Sequence, residues 1–310
     1  MKGKILVTDT LFIFDEHVKK LESAGYKVER IEKPDMSEAE LIDVVKGKVG
    51  YLLGGIEHVT DKVIDAADEL KAISLLGVGY PWFIPGWKHA LEKGILISNI
   101  PDGPTNEVAE WALTASLIMN REFLELGRGG KKQFAVTKGL EGQKVGIVGL
   151  GRIGSRISEM LQVFHPADIF YCGPHRHEDK EKQLNATYVS LEDLLAESDV
   201  IFLTVSDEAK NLLGKKQLEQ MKRGSLLVNI THPGVIVEED LLGVLEKKHI
   251  RAISDHPMSS KFDELPLSHW YCMNSSNTIT KAGSQYMSDR ATESLLNLLE
   301  IGEDGFQVTQ

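Results

Sequence analysis

The sequence predicts an α/β protein with two doubly wound parallel sheets, in which strands alternate with covering helices. Three observations support this fold class. Short apolar runs alternate with segments of helical period along the chain. A Pro- and Gly-rich break, IPDGPTN, divides this alternation into two series. The length of 310 residues suits two domains, at about 150 residues each.

The first series contains five strand-like runs, which read KILVTD, YKVERI, VGYLLGG, AISLLG and ILISN. Between the second and third runs, Ser37 and Glu40 form an S-x-x-E capping box. Apolar Leu41, Val44 and Val45 follow on one helical face. This pattern predicts that the second crossover helix begins at Ser37.

After the break, a long helix is predicted from Thr105 through EVAEWALTASLIMNREFLELG. The second series begins at Lys144 with KVGIVGLG and continues with DIFYCG, DVIFLTV, SLLVNI and IRAISD, which are again five strand-like runs. A last segment of helical period runs from Met287 to Glu300. Its place after the second sheet would let it cross back onto the first domain.

Charge and composition exclude several classes of protein. The 35 basic and 46 acidic residues give a formal net charge of −11, which disfavours nucleic acid and anionic membrane surfaces as partners. The longest apolar run, Trp111 to Met119, is far shorter than the ~20 residues of a membrane span. Cys172 and Cys272 are too few for a metal cluster or a disulfide framework. A cytoplasmic protein without a metal site is therefore predicted, and the N-terminus has no signal-peptide pattern.

The most informative motif is G-x-G-x-x-G at Gly149, Gly151 and Gly154, directly after the strand KVGIV and before a helical segment. Such glycines allow a tight turn, close approach of the backbone to a diphosphate, and close packing of helix on strand. The helix N-terminus, at Arg152 and Ile153, would then face the phosphates. A dinucleotide site is predicted, and a glycine-rich turn without a ligand is the alternative.

The residues after the next strand bear on which dinucleotide is bound. The strand DIFYC ends at Cys172, and no carboxylate follows where an NAD-binding protein would have one for the ribose. His175 and Arg176 stand there instead, and these side chains could clamp a 2′-phosphate. The spacing favours NADP(H), with NAD(H) as the alternative. A solvated surface loop that binds no ligand is a further explanation of the same residues.

Four segments together resemble the D-isomer-specific 2-hydroxyacid dehydrogenase family: LLGVGYPWF, TNEVAEWAL, VGLGRIGSR and MKRGSLLVNI. The resemblance covers nearly the whole chain. It implies a flavodoxin-like substrate domain, residues 1–100 plus 285–310, and an inserted Rossmann domain, residues 101–284, with a small-molecule substrate held between them. The family is usually dimeric through the region after Thr105, so a homodimer is expected.

The resemblance also implies roles for individual residues. Gly54 and Gly55 lie where the family receives the substrate carboxylate on backbone N–H groups, although an ordinary strand-end turn explains them equally well. Thr231 and Asp255 match positions beside the cofactor. Aromatic Trp82, Phe83 and Trp87 replace a loop of the family that contains an aspartate; they could line a pocket for a larger substrate or fill the core.

The expected catalytic residues are replaced. His232 stands where the family has its substrate-binding arginine, and a histidine makes a single-point contact instead of a bidentate one. Ser260 stands near the expected glutamate, with Asp263 and Glu264 as the nearest carboxylates. Lys281 and Ala282 stand where the family has Pro-His.

A proton donor for carbonyl reduction must therefore be sought elsewhere. His232 and His256, which follows Asp255, are the candidates for catalysis, and His58 is a third candidate at the substrate. Surface or packing roles are the alternatives. The sequence predicts an NAD(P)-dependent oxidoreductase acting on a 2-oxo or 2-hydroxy acid or a related carbonyl compound. The alternative is a catalytically silent, NAD(P)-binding regulatory or redox-sensing protein.

Overall fold

The computed structural model describes residues 1–9, 13–33, 35–128, 136–206, 209–247, 249–273 and 280–309. The chain divides into two compact units, Met1–Pro104 with Ile279–Gln310 and Thr105–Thr278. Each unit contains one sheet in which every paired strand is parallel to its neighbour, so the predicted α/β class is confirmed. The assignment of a substrate and a dinucleotide role to the units stays a prediction.

The first unit is built on a five-stranded sheet of order β2-β1-β3-β4-β5. Its strands, each within a predicted run, are β1 Lys4–Thr8, β2 Lys27–Ile31, β3 Gly50–Leu53, β4 Ala72–Leu75 and β5 Leu96–Ser98. The helices that precede the second unit are α1 Asp15–Ser23, α2 Glu38–Val44, α3 Asp61–Ala66, α4 Tyr80–Phe83 and α5 Trp87–Glu92. Successive strand residues pack on opposite faces: Leu53 joins one buried cluster and Leu52 the other. Both faces of the sheet are therefore buried.

The predicted capping box begins α2. The Ser37 hydroxyl accepts a hydrogen bond from the Glu40 amide, and the Glu40 carboxylate accepts one from the Ser37 amide at 2.9 Å. Lys33 also donates to Glu40 at 2.7 Å. These bonds, from Lys33 first and from Ser37, lower the pKa of Glu40 to about 2. The predicted start of the second crossover helix is confirmed.

The second unit has a seven-stranded sheet of order β12-β11-β10-β9-β6-β7-β8. Its strands are β6 Lys144–Val148, β7 Asp168–Cys172, β8 Ala186–Tyr188, β9 Val200–Leu203, β10 Leu226–Asn229, β11 Arg251–Ser254 and β12 Trp270–Cys272. Five of them match the predicted runs. The two edge strands, β8 and β12, were not predicted, because three residues are too few to show a period.

The helices of the second unit are α6 Thr105–Asn120, α7 Phe123–Gly127, α8 Arg152–Leu161, α9 Glu178–Leu184, α10 Leu191–Glu197, α11 Lys215–Gln220 and α12 Glu238–Glu246. The prediction of one continuous helix through Gly127 was wrong, because α6 ends at Asn120 and Glu122 has a left-handed backbone, with φ of 53°. Arg251 donates to the Met119 carbonyl at 3.0 Å and to the Asn120 side chain at 2.8 Å. A cation at these last carbonyls stabilises a helix end here.

The last helix, α13 Lys281–Glu300, belongs to the first unit, as predicted for a segment that returns there. It starts before the predicted Met287 because the Thr280 hydroxyl accepts a hydrogen bond from the Gly283 amide at 2.9 Å. Leu295 and Leu298 pack in the same cluster as Val7 of β1. Within the described ranges, no helix has both the length and the apolarity needed to cross a membrane.

We expect Ser37→Ala to weaken α2 locally. Loss of an N-cap hydroxyl costs about 1 kcal/mol, which corresponds to about fivefold faster amide exchange over α2. Hydrogen exchange measured by mass spectrometry tests this. Ser23→Ala, at the exposed end of α1, is the control and should leave exchange in its helix nearly unchanged. Equal effects of the two substitutions would contradict the capping argument.

Candidate active site

The carboxyl ends of the strands in the second unit lie at one edge of the sheet, because all pairs are parallel. Strand order reverses between β6 and β9, and ligands of such sheets bind where this reversal leaves a crevice. Gly149 follows β6 and Thr204 follows β9, so these two residues flank the reversal point. Residues that follow β10 and β11, Thr231 and Asp255, lie at the same edge.

The glycine motif forms a close-packed turn against the end of β9. Gly149 has φ of 101°, and a Cβ there would lie 2.8 Å from the Thr204 carbonyl oxygen. A Cβ on Gly154 would collide with the Gly149 carbonyl and lie 2.9 Å from the Thr204 hydroxyl. That hydroxyl donates to the carbonyl oxygens of Gly149, at 2.5 Å, and Val148, at 3.1 Å. Glycine is required at both positions for packing.

The middle glycine, Gly151, differs because a Cβ there would have no heavy atom within 4 Å. Gly151 precedes α8, whose first residues are Arg152 and Ile153. The N–H groups of a first helical turn have no acceptor within their helix. Open space beside these N–H groups fits a diphosphate, which would accept hydrogen bonds from them and lie at the positive end of the helix dipole. The residues present therefore fit the phosphates of a dinucleotide.

The two side chains predicted to hold a 2′-phosphate, His175 and Arg176, are both exposed, in the turn after β7. Arg176 donates from Nε and Nη2 to the two carboxylate oxygens of Glu181, at 2.8 and 2.9 Å. The Tyr171 hydroxyl also donates to Glu181, at 2.8 Å. The hydrogen bonds from Arg176 and then Tyr171 lower the pKa of Glu181 to about 2. Arg176 is thus paired within the chain, and its Nη1 lies 3.9 Å from a second carboxylate, that of Glu178.

The segment after β10 holds His232 in a defined tautomer. Its Nε2 lies 2.8 Å from the Ala209 carbonyl oxygen, which can only accept, so this nitrogen carries the hydrogen. Nδ1 is then the nitrogen that can accept a proton. The Thr231 hydroxyl donates to the Asn229 side-chain oxygen at 2.8 Å. The Asn229 amide nitrogen is buried and has no hydrogen-bond partner among the described residues.

The segment after β11 pairs a buried carboxylate with a half-exposed imidazole. His256 Nδ1 lies 2.7 Å from Asp255 Oδ1. The Asp255 side chain is 2% exposed and that of His256 is 48% exposed. A carboxylate that accepts from Nδ1–H orients the ring and leaves Nε2 as the other ring nitrogen for a hydrogen bond. Asp255 and His256 therefore form a hydrogen-bonded carboxylate–imidazole pair at this edge.

In the first unit, the predicted glycines follow β3. The Gly54 amide donates to the Thr8 carbonyl at 2.9 Å, and a Cβ on Gly54 would lie 3.0 Å from that oxygen. Because this N–H group is used within the sheet, a backbone donor for a substrate carboxylate would be Gly55. Packing of the turn thus explains the glycine at position 54. The role of Gly55 in binding a substrate carboxylate stays a prediction.

His58 is held against the aromatic segment. Its Nδ1 lies 2.8 Å from the Trp82 carbonyl oxygen, and its ring stacks on the Trp82 indole with centroids 4.2 Å apart. Trp82 is 58% exposed. Phe83 and Trp87 instead pack against the buried core. Of the three aromatics singled out in the sequence, Trp82 is the one with an exposed surface for a ligand.

Beside this loop, Glu57 is buried with two hydroxyl groups. The hydroxyls of Thr8 and Tyr51 both donate to Glu57 Oε1, the latter at 2.6 Å. Glu57 Oε2 has no hydrogen-bond partner in the described part of the chain. Burial raises the pKa of Glu57 from its ordinary value of 4.5, although both hydroxyls lower it. The carboxyl group thus binds its proton more tightly in the folded chain.

The remaining candidates lie away from these contacts. Asp263 and Glu264 are exposed in a 3-10 helix that buries only Phe262. Lys281 is the exposed first residue of α13, and residues 274–279 of the neighbouring segment lie outside the described residues. Among the described residues, no three His, Cys, Asp or Glu side chains are arranged to hold a metal ion.

Sequence reasoning missed three residues of this site. Thr204 follows the strand DVIFLTV, and its hydroxyl holds the glycine turn. Glu181 pairs with Arg176, and the amide of Asn229 faces no partner among the described residues. A polar residue at the carboxyl end of a buried parallel strand was the available signal for Thr204 and Asn229.

Known proteins match this chain in sequence and in fold. A family model described as "D-isomer specific 2-hydroxyacid dehydrogenase, NAD binding domain" matches residues 111–275. D-3-phosphoglycerate dehydrogenase of Synechocystis sp. is 31% identical over 227 residues, which cover 70% of this chain and 40% of that protein. A Staphylococcus aureus (strain USA300) protein named as a 2-hydroxyacid dehydrogenase is 30% identical over 242 residues, covering 74% of this chain and 75% of that one. A solved structure from Thermus thermophilus matches with a TM-score of 0.86 and 26% identity, over 99% of this chain and 100% of that chain.

We expect Glu57→Gln to change stability in a pH-dependent way. The raised pKa of Glu57 means that its stabilising contribution is complete below pH 4.5 and is lost as the pH rises through the folded pKa. Glutamine cannot ionise, so the free energy of unfolding of the variant, relative to the natural chain, should increase from pH 4.5 towards neutrality.

Denaturant unfolding across this pH range measures the difference. Glu69→Gln, on the exposed surface of the same unit, is the control. A difference for Glu57→Gln that does not change with pH would refute the interpretation.

Proposed function

Since this chain belongs to the D-isomer-specific 2-hydroxyacid dehydrogenase family, whose members are oxidoreductases acting on CH–OH and C=O groups, we propose that it reduces a 2-oxo acid or related carbonyl compound and oxidises the corresponding 2-hydroxy compound. A nicotinamide dinucleotide, when bound, supplies or accepts the hydride. The observation that carries this proposal is the glycine turn, packed on Thr204 at the reversal of strand order and open at Gly151.

We assign the binding of the diphosphate to the N–H groups of Arg152 and Ile153, with Gly151 allowing close approach. Thr231 and Asp255 are proposed beside the nicotinamide, as the family resemblance implied. The buried Asn229 amide supports a ligand at this edge, because an unpaired buried donor costs about 1–3 kcal/mol unless an acceptor reaches it. A bound cofactor or substrate oxygen would be that acceptor.

His256 is the proposed proton carrier. Reduction of a carbonyl group places negative charge on its oxygen, and a protonated imidazole can donate to it. With Nδ1 on Asp255, the Nε2 proton of His256 passes to that oxygen; in the reverse direction Nε2 takes the proton of the hydroxyl. His232 is proposed to contact the substrate through Nδ1, which in this tautomer accepts a hydrogen bond from a substrate hydroxyl. This single-point contact does not replace the two charged hydrogen bonds of an arginine fork to a carboxylate, so simple 2-oxo acids should bind weakly.

The substrate contacts proposed in the first unit are Gly55, through its N–H group, and His58 with exposed Trp82 beside it. Gly54 holds the turn through its hydrogen bond to Thr8.

We further propose a cytoplasmic homodimer. The free thiol of Cys172 supports a reducing compartment, and burial raises its pKa to about 12, which keeps it protonated and unreactive. Phe123 of α7 supports a partner surface, because its apolar side chain is 62% exposed. The net charge of −11 supports a small-molecule substrate over nucleic acid or a membrane surface.

We expect saturable binding of a reduced nicotinamide dinucleotide, and its oxidation with at least one of a panel of 2-oxo acids that includes glyoxylate, hydroxypyruvate and bulkier acids. Fluorescence measures the binding and absorbance the turnover. His256→Asn should lower kcat by about 10²- to 10⁴-fold with an unchanged dinucleotide Kd, because it removes only the proton carrier.

His165→Asn is the matched control, because His165 is exposed and its left-handed backbone, with φ of 50°, suits asparagine. Binding without turnover would favour the regulatory alternative. Absence of saturable binding would overturn both functions.

For the cofactor, we propose that Arg176 and His175 take a 2′-phosphate and so favour NADP(H) over NAD(H). The side-on pair with Glu181 uses Nε and Nη2, and Nη1 lies 3.9 Å from the exposed carboxylate of Glu178, which a 2′-phosphate would displace. Arg176→Ala should weaken binding of 2′,5′-ADP and NADPH by about 10-fold, the value of one charge-assisted contact, and should barely change NADH binding. Glu181→Gln should strengthen 2′,5′-ADP binding, because it removes the competing charge.

Calorimetric titration measures both effects, and Lys182→Ala, an exposed cation on α9, is the control. Equal losses for NADPH and NADH in Arg176→Ala would remove the argument for a 2′-phosphate site.

A further inference from the structure

We propose that the groove between α8 and α9 is a second anion-binding site, which takes a phosphate or a phosphate monoester independently of the dinucleotide. The groove belongs to the second unit and has a volume of about 360 Å³. Ser155, Arg156 and Glu159 line it from α8, and Lys180 and Gln183 line it from α9. This volume lies within the range of small-molecule sites.

The groove is positively charged although the chain as a whole is acidic. Arg152, Arg156 and Lys180 face one carboxylate, Glu159, which leaves two positive charges in excess. On a chain with a formal net charge of −11, acidic side chains are available to pair with surface cations. Yet neither Arg152 nor Lys180 has a carboxylate within 4 Å among the described residues, since both are absent from every ion pair there. An external anion would supply the missing charge.

Lys180 is held in place by neutral acceptors. Its ammonium group donates to the Leu150 carbonyl oxygen at 3.1 Å and to the Ser155 hydroxyl at 3.2 Å. The side chain is half-buried, so its conformation is restricted. An ammonium group has three N–H donors, and two of them are used. The third N–H can therefore bind an oxyanion in the groove without loss of an existing contact.

Arg156 is similarly positioned. Its Nε donates to the Asn106 side-chain oxygen at 3.0 Å, and its Nη1 donates to Glu159 at 2.9 Å. These two contacts orient the guanidinium group, and Nη2 is the remaining nitrogen. Two oriented cations on facing helices match the several acceptor oxygens of a phosphate group.

This groove is distinct from the proposed diphosphate position. A diphosphate would contact N–H groups at the tip of α8, where the helix begins at Arg152. Arg156 and Glu159 lie one and two turns farther along the same flank, and seven residues of helix correspond to about 10 Å. An anion bound at Arg156 therefore lies along the side of the helix. Lys180 lies nearer the tip, because its ammonium group donates to the Leu150 carbonyl oxygen of the glycine turn at 3.1 Å. Arg152 is the lining residue shared between the two positions, and Arg156 is the one that separates them.

The test is titration of the full chain with inorganic phosphate at low ionic strength, followed by calorimetry or ³¹P NMR. We expect saturable binding at millimolar or lower concentration, with the same affinity when NADH is present. Lys180→Gln and Arg156→Gln should each weaken it by about 10-fold, the value of one charge-assisted hydrogen bond. Lys182→Gln, which removes an exposed cation from the same helix, should have no effect.

Glutamine at 180 keeps an amide donor for the Leu150 carbonyl, and circular dichroism checks that each variant folds. Arg156→Lys, which keeps the charge, should bind more tightly than Arg156→Gln. Glycerol phosphate distinguishes a phosphate monoester from the free ion.

Displacement of phosphate by NADH or by 2′,5′-ADP would overturn the proposal, because the anion would then occupy the dinucleotide site. Equal effects of Lys180→Gln and Lys182→Gln, or no saturation, would overturn it as well. The titration with phosphate alone does not depend on dinucleotide binding. Failure of the proposed anion site can therefore be distinguished from failure of the proposed dehydrogenase function.

Discussion

The contact between the Thr204 hydroxyl and the carbonyl oxygens of Val148 and Gly149 determines much of the second unit. It joins the ends of β6 and β9, the neighbouring strands at which strand order reverses. The Val148 carbonyl also accepts from the Thr204 amide at 2.9 Å, whereas the Gly149 carbonyl would lose this donor without the hydroxyl. The turn can pack this tightly only because Gly149 and Gly154 have no side chain. The direction in which α8 leaves the sheet therefore depends on one hydrogen-bond donor from another strand.

Three candidate histidines illustrate how one residue type acquires different chemistry from its acceptor. Backbone carbonyls hold one ring nitrogen of His58 and of His232. A carbonyl fixes the tautomer and adds no full negative charge. The carboxylate of Asp255 holds Nδ1 of His256 instead, and it brings a negative charge next to the ring. The proposed difference in role between these residues therefore rests on the different acceptor at one ring nitrogen of each.

Local pattern was sufficient for the parts of the fold in which neighbours along the chain decide the structure. The capping box at Ser37, the buried strands and the glycine turn all follow from short-range spacing. Where a distant residue decides, the pattern failed. The end of α6 depends on Arg251, which is 131 residues from Asn120 in sequence. The charge of Arg176 is paired by Glu181 on the next helix, which no motif marked. The roles of the histidines stay predictions, since they depend on a bound substrate.

The first unit is assembled from both ends of the chain, and this imposes an order on its folding during synthesis. Leu295 and Leu298 of α13 complete the core beneath β1 and β3, and Val308 donates its amide to Ile97 of β5 at 2.8 Å. While the ribosome is still translating the middle of the chain, one face of the N-terminal sheet lacks this cover. Its apolar side chains then depend on chaperones or on transient collapse for protection from water. The inserted unit has all of its strands before α13 in the chain, so it is expected to fold before the first unit is complete.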